Sequence, residues 1–447
     1  MARLIRSRTA LWVTFAVVHL WLIYVGVFLI RVSTFGDVDL YRRWAESGLL
    51  FGIWPGLDAS WVYPVGAWLP ILIPAAVSIT SPIAYALGWS ALVVVLDVVT
   101  VRALSNASPR DRATGQDAVP ADTSELDGRP EWYANLPAGL DGQLGAWGWL
   151  AFVAALGPVA LGRLDSIIAP LMVLALLAAF RHPRVASALL TAGAWIKVAP
   201  GALLISLAAA TKRPLRDVVV PAAAVTAVVV AVTAAVGGLP YLASFLGDQG
   251  SRGLQVEAVA ATPWLVAGLF TRAVTIAYNP QIITFEITGP GTAAIASVLN
   301  PVLVLVVAAV AVLLLVARRR GVDVLLPGAL ALAVTLIVTD KVGSPQYMTW
   351  IAPAIAVAIA TRAPGPWFRL GWLTLAIGVA TQIVYPWQYS HMLNGNPVIT
   401  TILVWRNLSL VVLLAMTLTM LVQAVRRTRT VVETDADVHR MAPAARP

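Results

Sequence analysis

The sequence contains no cysteine and little charge. Without cysteine the chain has no disulfide, no thiolate metal site and no cysteine nucleophile. Charged residues make up 12% of its 447 residues and hydrophobic residues 59%, whereas soluble domains carry roughly a quarter charged residues. The mean hydropathy is +0.81. This balance excludes an ordinary soluble enzyme and predicts an integral membrane protein.

Histidine, lysine and the common enzyme motifs are also scarce. The 4 histidines are scattered, with no pair at metal-ligand spacing, so we expect no metal site. The chain has no GxxxxGKS/T loop, no HExxH and no serine elbow. Its net charge of +9 is more typical of cytoplasmic loops than of a nucleic-acid partner, because the chain is polytopic.

The chain contains long apolar runs instead. About 20 apolar residues in a row cross a bilayer as a helix. We predict an all-α polytopic bundle in a transmembrane domain of residues 10–424, with partial or re-entrant helices beside the spans. Segment 64–80 contains Pro70 and Pro74 and is expected not to cross. The expected spans, about ten, are roughly 10–31, 82–101, 146–161, 163–180, 217–237, 297–317, 323–339, 346–361, 370–385 and 398–424.

Basic residues set the expected topology. By the positive-inside rule the N-terminus (1–9), the linker 102–145 and the tail 425–447 are cytoplasmic in a multi-pass plasma-membrane protein, and the charged tail is expected to be disordered. Loops 32–63 and 238–296 are then outside. Segment 185–210 lies between two basic stretches, so we expect it to enter and leave from the same side, turning near Lys197 and Pro200.

The charges left on the outer side are candidates for chemistry, because membrane-embedded charge is costly unless it is paired or hydrated. Asp37 and Asp39 follow the first span. Converging carboxylates would raise the pKa of one of them and make it a usable general base, whereas a solvated loop with a capping aspartate is an equally good interpretation. Asp97, an acid inside a span, is expected to face the bundle.

Lys197 is alone in an apolar run, AGAWIKVAP, where a fixed cation suits a phosphate; the alternative is a lysine that extends to the interface. Arg163 and Asp165 in GRLD could pair with each other as ordinary turn residues. Two further outer segments offer phosphate or sugar contacts, as any surface loop could: SRGLQVEAV, with Arg252, Gln255 and Glu257, and TDKVGSPQYMTW, with Lys341, Gln346 and Tyr347.

The order of these motifs resembles glycosyltransferase family 87. The resemblance runs from Asp37, with Tyr41 four residues on, through Tyr63-Pro64, GRLD, WIKVAP and RGLQVEA to KVGSPQY. The family consists of GT-C type, polyprenyl-phosphate-mannose-dependent mannosyltransferases of actinobacteria. Two positions depart from its pattern: Val65 stands where a second proline is common, and Arg163 where glutamine is frequent. Both bear on acceptor specificity.

The resemblance implies an inverting mannosyltransferase that acts on the outer face. Its donor would be polyprenyl-phosphate mannose and its acceptor a glycolipid or cell-envelope glycan, with no further cofactor. Asp37 would be the general base, with Asp39 as the second candidate, and Lys197 with Arg252 would bind the donor phosphate. Substrate contacts would come from Tyr41, Tyr63, Arg163, Asp165, Gln255, Glu257, Lys341, Gln346 and Tyr347.

Two alternatives stay open from the sequence. One is a GT-C enzyme that uses another polyprenyl-phosphate sugar, such as arabinofuranose or glucose. The other is a lipid or solute transporter that uses the same charged cavity without chemistry. An inverted repeat would favour a transporter, and none is visible in the sequence.

Overall fold

Helices dominate the described part of the chain. The computed structural model describes residues 5–107, 141–250, 252–280, 284–361 and 365–441. Within these ranges it has 18 helices and one β-hairpin, which confirms an all-α polytopic membrane protein. Residues 108–140 of the predicted linker lie outside the described residues.

The helices of the first half alternate long apolar segments with short ones. They are α1 (Arg8–Ile23), extended by a π-helical turn Tyr24–Leu29, α2 (Arg31–Thr34), α3 (Gly36–Phe51), α4 (Trp68–Ala75), α5 (Pro82–Asn106), α6 (Asp141–Leu156), α7 (Asp165–Ala179), α8 (Pro183–Ile196) and α9 (Ala199–Ala210).

The second half continues the bundle and adds the hairpin. Its elements are α10 (Val220–Ala235), α11 (Ser244–Gly250), α12 (Thr262–Gly268), β1 (Thr275–Asn279), β2 (Thr284–Thr288), α13 (Thr292–Arg319), α14 (Leu325–Thr339), α15 (Ala352–Thr361), α16 (Gly365–Gln382), α17 (Tyr389–Leu393) and α18 (Pro397–Met441).

Seven helical segments of the described chain are long and apolar enough to cross a membrane, fewer than the ten spans expected. The expected spans 163–180, 323–339 and 346–361 contain only α7, α14 and α15, of 15, 15 and 10 residues. At 1.5 Å per residue these helices are at most about 22 Å long. Their side chains are buried along nearly the whole length, so neighbouring helices and not lipid surround them. The seven are Arg8–Leu29, Pro82–Asn106, Gly142–Ala160, Leu215–Ala235, Thr292–Arg319, Gly365–Trp387 and Pro397–Arg427.

The run 185–210 is broken at its lysine. Helix α8 ends at Ile196, and Lys197 has extended backbone angles (φ −156°, ψ 133°) before α9 begins at Ala199. A side chain at Gly193 would contact Pro200, so the two helices pack closely beside the break. The break lies where the sequence predicts the turn. Entry and exit from the same side of the membrane stays a prediction.

Two elements differ from the sequence expectation. The backbone of α18 continues to Met441, where a disordered tail was expected from residue 425; no proline or glycine interrupts residues 398–441, so charge alone does not end the helix. The hairpin β1–β2 was not predicted, although its strands TIAYN and TFEIT are rich in β-branched and aromatic residues.

The hairpin supports the loop that carries Arg252. Val256 N donates to Phe285 O (3.0 Å) and Ile287 N donates to Leu254 O (2.9 Å), so Gln255 forms an isolated antiparallel bridge with Glu286 of β2. In this way the RGLQVEA segment is held on a sheet edge, although it is irregular by itself.

Candidate active site

Asp37 is paired with Arg163 from a distant turn. Asp37 lies in the first turn of α3, and its Oδ2 is 3.0 Å from Nε of Arg163; the Asp37 side chain is 35% exposed and that of Arg163 7%. The same guanidinium donates to the carbonyls of Thr34 and Gly162 and to the hydroxyl of Tyr385. Arg163 therefore fixes the position of Asp37 while one side of its carboxylate stays accessible.

Asp39 has a different environment. Its carboxylate accepts hydrogen bonds from Arg42 (2.8 Å) and Arg43 (3.0 Å), and Arg42 in turn binds Glu46. Burial by itself would raise the pKa of Asp39, but the hydrogen bonds and charges of Arg42 and Arg43 outweigh it and leave the pKa below its ordinary value. The two carboxylates have separate cationic partners, Arg163 for Asp37 and Arg42 with Arg43 for Asp39.

Two buried tyrosines lie beside Asp37. The hydroxyls of Tyr41 and Tyr63 are 3.5 Å apart. Burial is the main cause that raises both pKa values well above 10, and the charge of Asp37 adds to it, so both phenols stay protonated. The charge of Asp165 also acts on Tyr63. Tyr63 therefore lies within electrostatic range of both Asp37 and Asp165.

Asp165 binds Lys197 and Trp350. Its Oδ2 is 2.6 Å from Nζ of Lys197, and its Oδ1 accepts the indole N–H of Trp350 at 2.7 Å. The ammonium lies 4.9 Å from the ring centre of Tyr347 and 5.8 Å from that of Trp350, and these two rings are stacked on each other. Arg163 and Asp165 thus have separate partners and do not pair with each other as turn residues.

The RGLQVEA and KVGSPQY segments hold each other through backbone contacts. Gln255 N donates to Lys341 O (3.0 Å), and Gly343 N donates to Gln255 Oε1 (2.8 Å). Gly343 packs directly on the backbone of Glu257, with no room for a Cβ. Gln346, half-buried in the 3-10 turn Pro345–Trp350, accepts from Thr349 through its backbone carbonyl.

Charged groups of these two segments influence one another. Burial lowers the pKa of Lys341, with the charge of Arg252 acting in the same direction and that of Asp340 opposing it. Burial raises the pKa of Asp340 to about 6, against the charges of Arg252 and Lys341. The two cations are therefore close enough to repel each other, which favours an anion between or beside them.

Glu257, in the RGLQVEA segment, is buried. Tyr389 donates to its Oε2 (3.3 Å), and Arg406 Nη2 of α18 lies 3.8 Å from its Oε1. Burial raises the pKa of Glu257 to about 7, although the charge of Arg406 lowers it. Glu257 is only 2% exposed, so it contacts protein groups and not the open side of the site.

Sequence reasoning named the acids and cations of this region but not several of their partners. Trp350, Tyr385 and Tyr389 complete the hydrogen bonding of Asp165, Arg163 and Glu257. All three lie within or close to the ends of predicted spans, where aromatic residues are also typical of membrane interfaces. Because a membrane interface explains these aromatic residues equally well, the sequence does not mark them as hydrogen-bond partners of the charged groups.

A family model describes most of this region. The model of glycosyltransferase family 87 matches residues 61–339, more than half of the chain. The chain belongs to glycosyltransferase family 87. No curated protein and no solved structure matches it.

The family 87 match covers only part of the site. It includes Tyr63, Arg163, Asp165, Lys197 and the RGLQVEA segment, but it begins after Asp37 and ends before Lys341. The structure brings the unmatched residues to the matched ones, through Arg163 to Asp37 and through Lys197 to Tyr347. The protein is therefore a multi-pass membrane glycosyltransferase, and its candidate site combines residues inside the matched region with residues before and after it.

Proposed function

We propose that this glycosyltransferase transfers mannose from polyprenyl-phosphate mannose to a lipid-linked or cell-envelope glycan acceptor on the outer face of the plasma membrane, with both termini in the cytoplasm. The observation that carries the proposal is a pair of charged groups whose acids both act on the buried Tyr63: the Asp37 carboxylate, 35% exposed and paired with Arg163, and the Asp165–Lys197 ion pair. A displacement reaction needs a base for the acceptor and a cation for the leaving phosphate, and this arrangement supplies both.

Asp37 acts as the general base. The acceptor hydroxyl oxygen attacks the anomeric carbon of the sugar while its proton passes to the Asp37 carboxylate. The bond between that carbon and the phosphate oxygen breaks, and the oxygen keeps the electron pair, which inverts the configuration. Asp39 is less suited, because both of its oxygens are bound by Arg42 and Arg43.

Lys197, Arg252 and Lys341 provide positive charge for the polyprenyl phosphate. Cations fixed before the reaction stabilise the charge that develops on the leaving group without reorganisation, and the proposed displacement uses no further cofactor. The isoprenoid chain needs a lateral opening to lipid. Helix α4, which follows Tyr63 in the chain, has only eight residues and exposes Leu69 and Ile73, which supports an opening beside this helix.

The transfer can be measured with purified protein, polyprenyl-phosphate mannose labelled in the sugar, and a glycolipid acceptor. We expect a labelled acceptor from the wild type and essentially none from Asp37→Asn, with donor binding retained. Full turnover by Asp37→Asn would remove Asp37 as the base. Competition with polyprenyl-phosphate arabinofuranose or glucose tests the second candidate donor class; a preference for either would replace mannose in the proposal.

A further inference from the structure

A buried carboxylate, Asp165, takes all of its hydrogen bonds from inside the protein. The Asp165 side chain is 1% exposed, and its two oxygens are bound by Lys197 Nζ (2.6 Å) and Trp350 Nε1 (2.7 Å). An acid in this position has no free side for a sugar hydroxyl. The role of a substrate contact, which the sequence resemblance implies for Asp165, therefore does not fit its surroundings.

The lysine bound to Asp165 is held from several directions. Lys197 is the residue at the break between α8 and α9: its N–H donates to the Gly193 carbonyl of α8 (2.8 Å), and its extended backbone angles end that helix. Its ammonium is placed by Asp165 and by the faces of Tyr347 and Trp350. An ammonium is a flexible point charge on a four-carbon chain, and it gains a defined position only from such partners.

We infer that Asp165, supported by Trp350, is a positioning residue that fixes the Lys197 ammonium over the Tyr347 ring, facing the phosphate of the donor. The identity of the phosphate group in this inference rests on the proposed function. The geometry of Asp165, Trp350 and Lys197 is independent of the proposed function, because it exists without substrate. Asp165 sets where the cation lies, and the side chain of Lys197, 13% exposed, provides the contact.

The geometry can be tested in the absence of substrate because the chain has only three lysines, Lys197, Lys212 and Lys341. Lysine labelled with ¹³C at Cε gives three signals in an NMR spectrum of the detergent-solubilised protein, and Lys197→Arg identifies one of them. We expect the Lys197 proton signals to be shifted upfield by the ring of Tyr347. In Asp165→Asn the shift should be largely lost, because the amide cannot accept from the lysine while it also binds Trp350. An unchanged Lys197 signal in Asp165→Asn overturns the inference.

Binding of polyprenyl phosphate without a sugar, measured by calorimetry, tests the consequence. Asp165→Asn should weaken binding about tenfold or more, as expected when a charged hydrogen bond is lost. Adding Lys197→Met to Asp165→Asn should change it little further, because the two residues act as a unit. Full additivity of the two substitutions would contradict the inference. Asp217→Asn, which breaks the exposed ion pair with Arg184 (3.0 Å), is the matched control and should bind like the wild type.

The two tests separate the inference from the proposed function. If the wild type does not bind polyprenyl phosphate, the proposed donor is wrong, whereas the NMR result still decides whether Asp165 positions Lys197. A general loss of folding is recognised by the melting temperature and by the Lys212 signal, which Asp165→Asn should leave unchanged. Trp350→Phe removes the indole donor and keeps a smaller aromatic ring, so it should change the Lys197 signal less than Asp165→Asn does and in the same direction. No effect from either variant would show that Lys197 is placed without them.

Discussion

Asp37 Oδ2 lies 3.0 Å from Nε of Arg163, and the same guanidinium binds the carbonyls at the end of α2. The general-base candidate is thus fixed to the turn between α6 and α7 rather than left on a free loop. Arg163 has several partners besides Asp37, so its guanidinium is held independently of that carboxylate. This relationship separates Asp37 from Asp39 more clearly than their spacing in the sequence does.

Asp37 and Asp39 should respond differently to amidation. Asp37→Asn should lower kcat by about a hundredfold or more, the usual range for loss of a general base, with little change in donor binding. Asp39→Asn should mainly lower the melting temperature, because Arg42 and Arg43 lose a shared acceptor. Turnover and melting of both variants can be measured side by side. Loss of turnover in Asp39→Asn alone would reverse the assignment.

Arg163 should not be replaceable by lysine. Arg163→Lys keeps the charge next to Asp37, but it loses the planar fork that reaches the Gly162 carbonyl and the Tyr385 hydroxyl together. We expect kcat to fall by about a hundredfold, since a small displacement of a catalytic group has such effects. The kcat of Arg163→Met should fall at least as far. A fully active Arg163→Lys would show that charge alone is sufficient.

The fold class could be predicted because it depends on composition and on long apolar runs. The shortness of α7, α14 and α15 could not be predicted, since an apolar run reads the same whether lipid or protein surrounds it. In α18 the charge of the tail suggested disorder, whereas the backbone is helical to Met441. An apolar run in the sequence does not reveal whether lipid or protein packs against it.

The site residues could be named from scarcity of charge, but their pairing could not. Asp165 is near Arg163 in sequence and pairs with Lys197, while Arg163 pairs with Asp37. The α8–α9 break and the turn before α7 decide these partners, and both are tertiary features. The contact of Arg406 with Glu257 likewise depends on α18 lying beside the RGLQVEA segment.

The buried Glu257 should make stability depend on pH. Its folded pKa, raised to about 7 from 4.5 by burial, means that the folded state binds more protons than the unfolded state between these values. The contribution of Glu257 to the free energy of unfolding should therefore be largest at and below about pH 4.5, fall as the pH rises to about 7, and then level off. Melting temperatures in detergent between pH 4.5 and 8 check this.

Glu257→Gln should flatten that part of the pH curve and leave a smaller slope from Asp340, whose pKa is raised to about 6 and acts in the same direction. Asp340→Asn is the matched control and should remove only the lower part of the slope. If wild type and Glu257→Gln melt with the same pH dependence, Glu257 does not titrate in this range.

Asp97 faces the helix bundle, as the sequence suggested. Its Oδ2 lies 2.9 Å from Nε2 of His19, and its Oδ1 accepts from the indole of Trp149 (3.0 Å). The other ring nitrogen of His19 faces the carbonyl of Phe15, so it must carry a proton. An asparagine can then donate to Nε2 and still accept from Trp149, which satisfies the whole cluster.

Asp97→Asn should therefore melt within a few degrees of the wild type, whereas Asp97→Ala should lose about 3 kcal/mol, because it leaves the buried His19 and Trp149 nitrogens without partners. Ser90→Ala on the same helix is the control: Ser90 donates only to the Ala86 carbonyl of its own helix, so its removal should cost less than about 1 kcal/mol. Equal destabilisation by Asp97→Asn and Asp97→Ala would mean that the negative charge itself, and not the hydrogen-bond pattern, stabilises the junction of α1, α5 and α6.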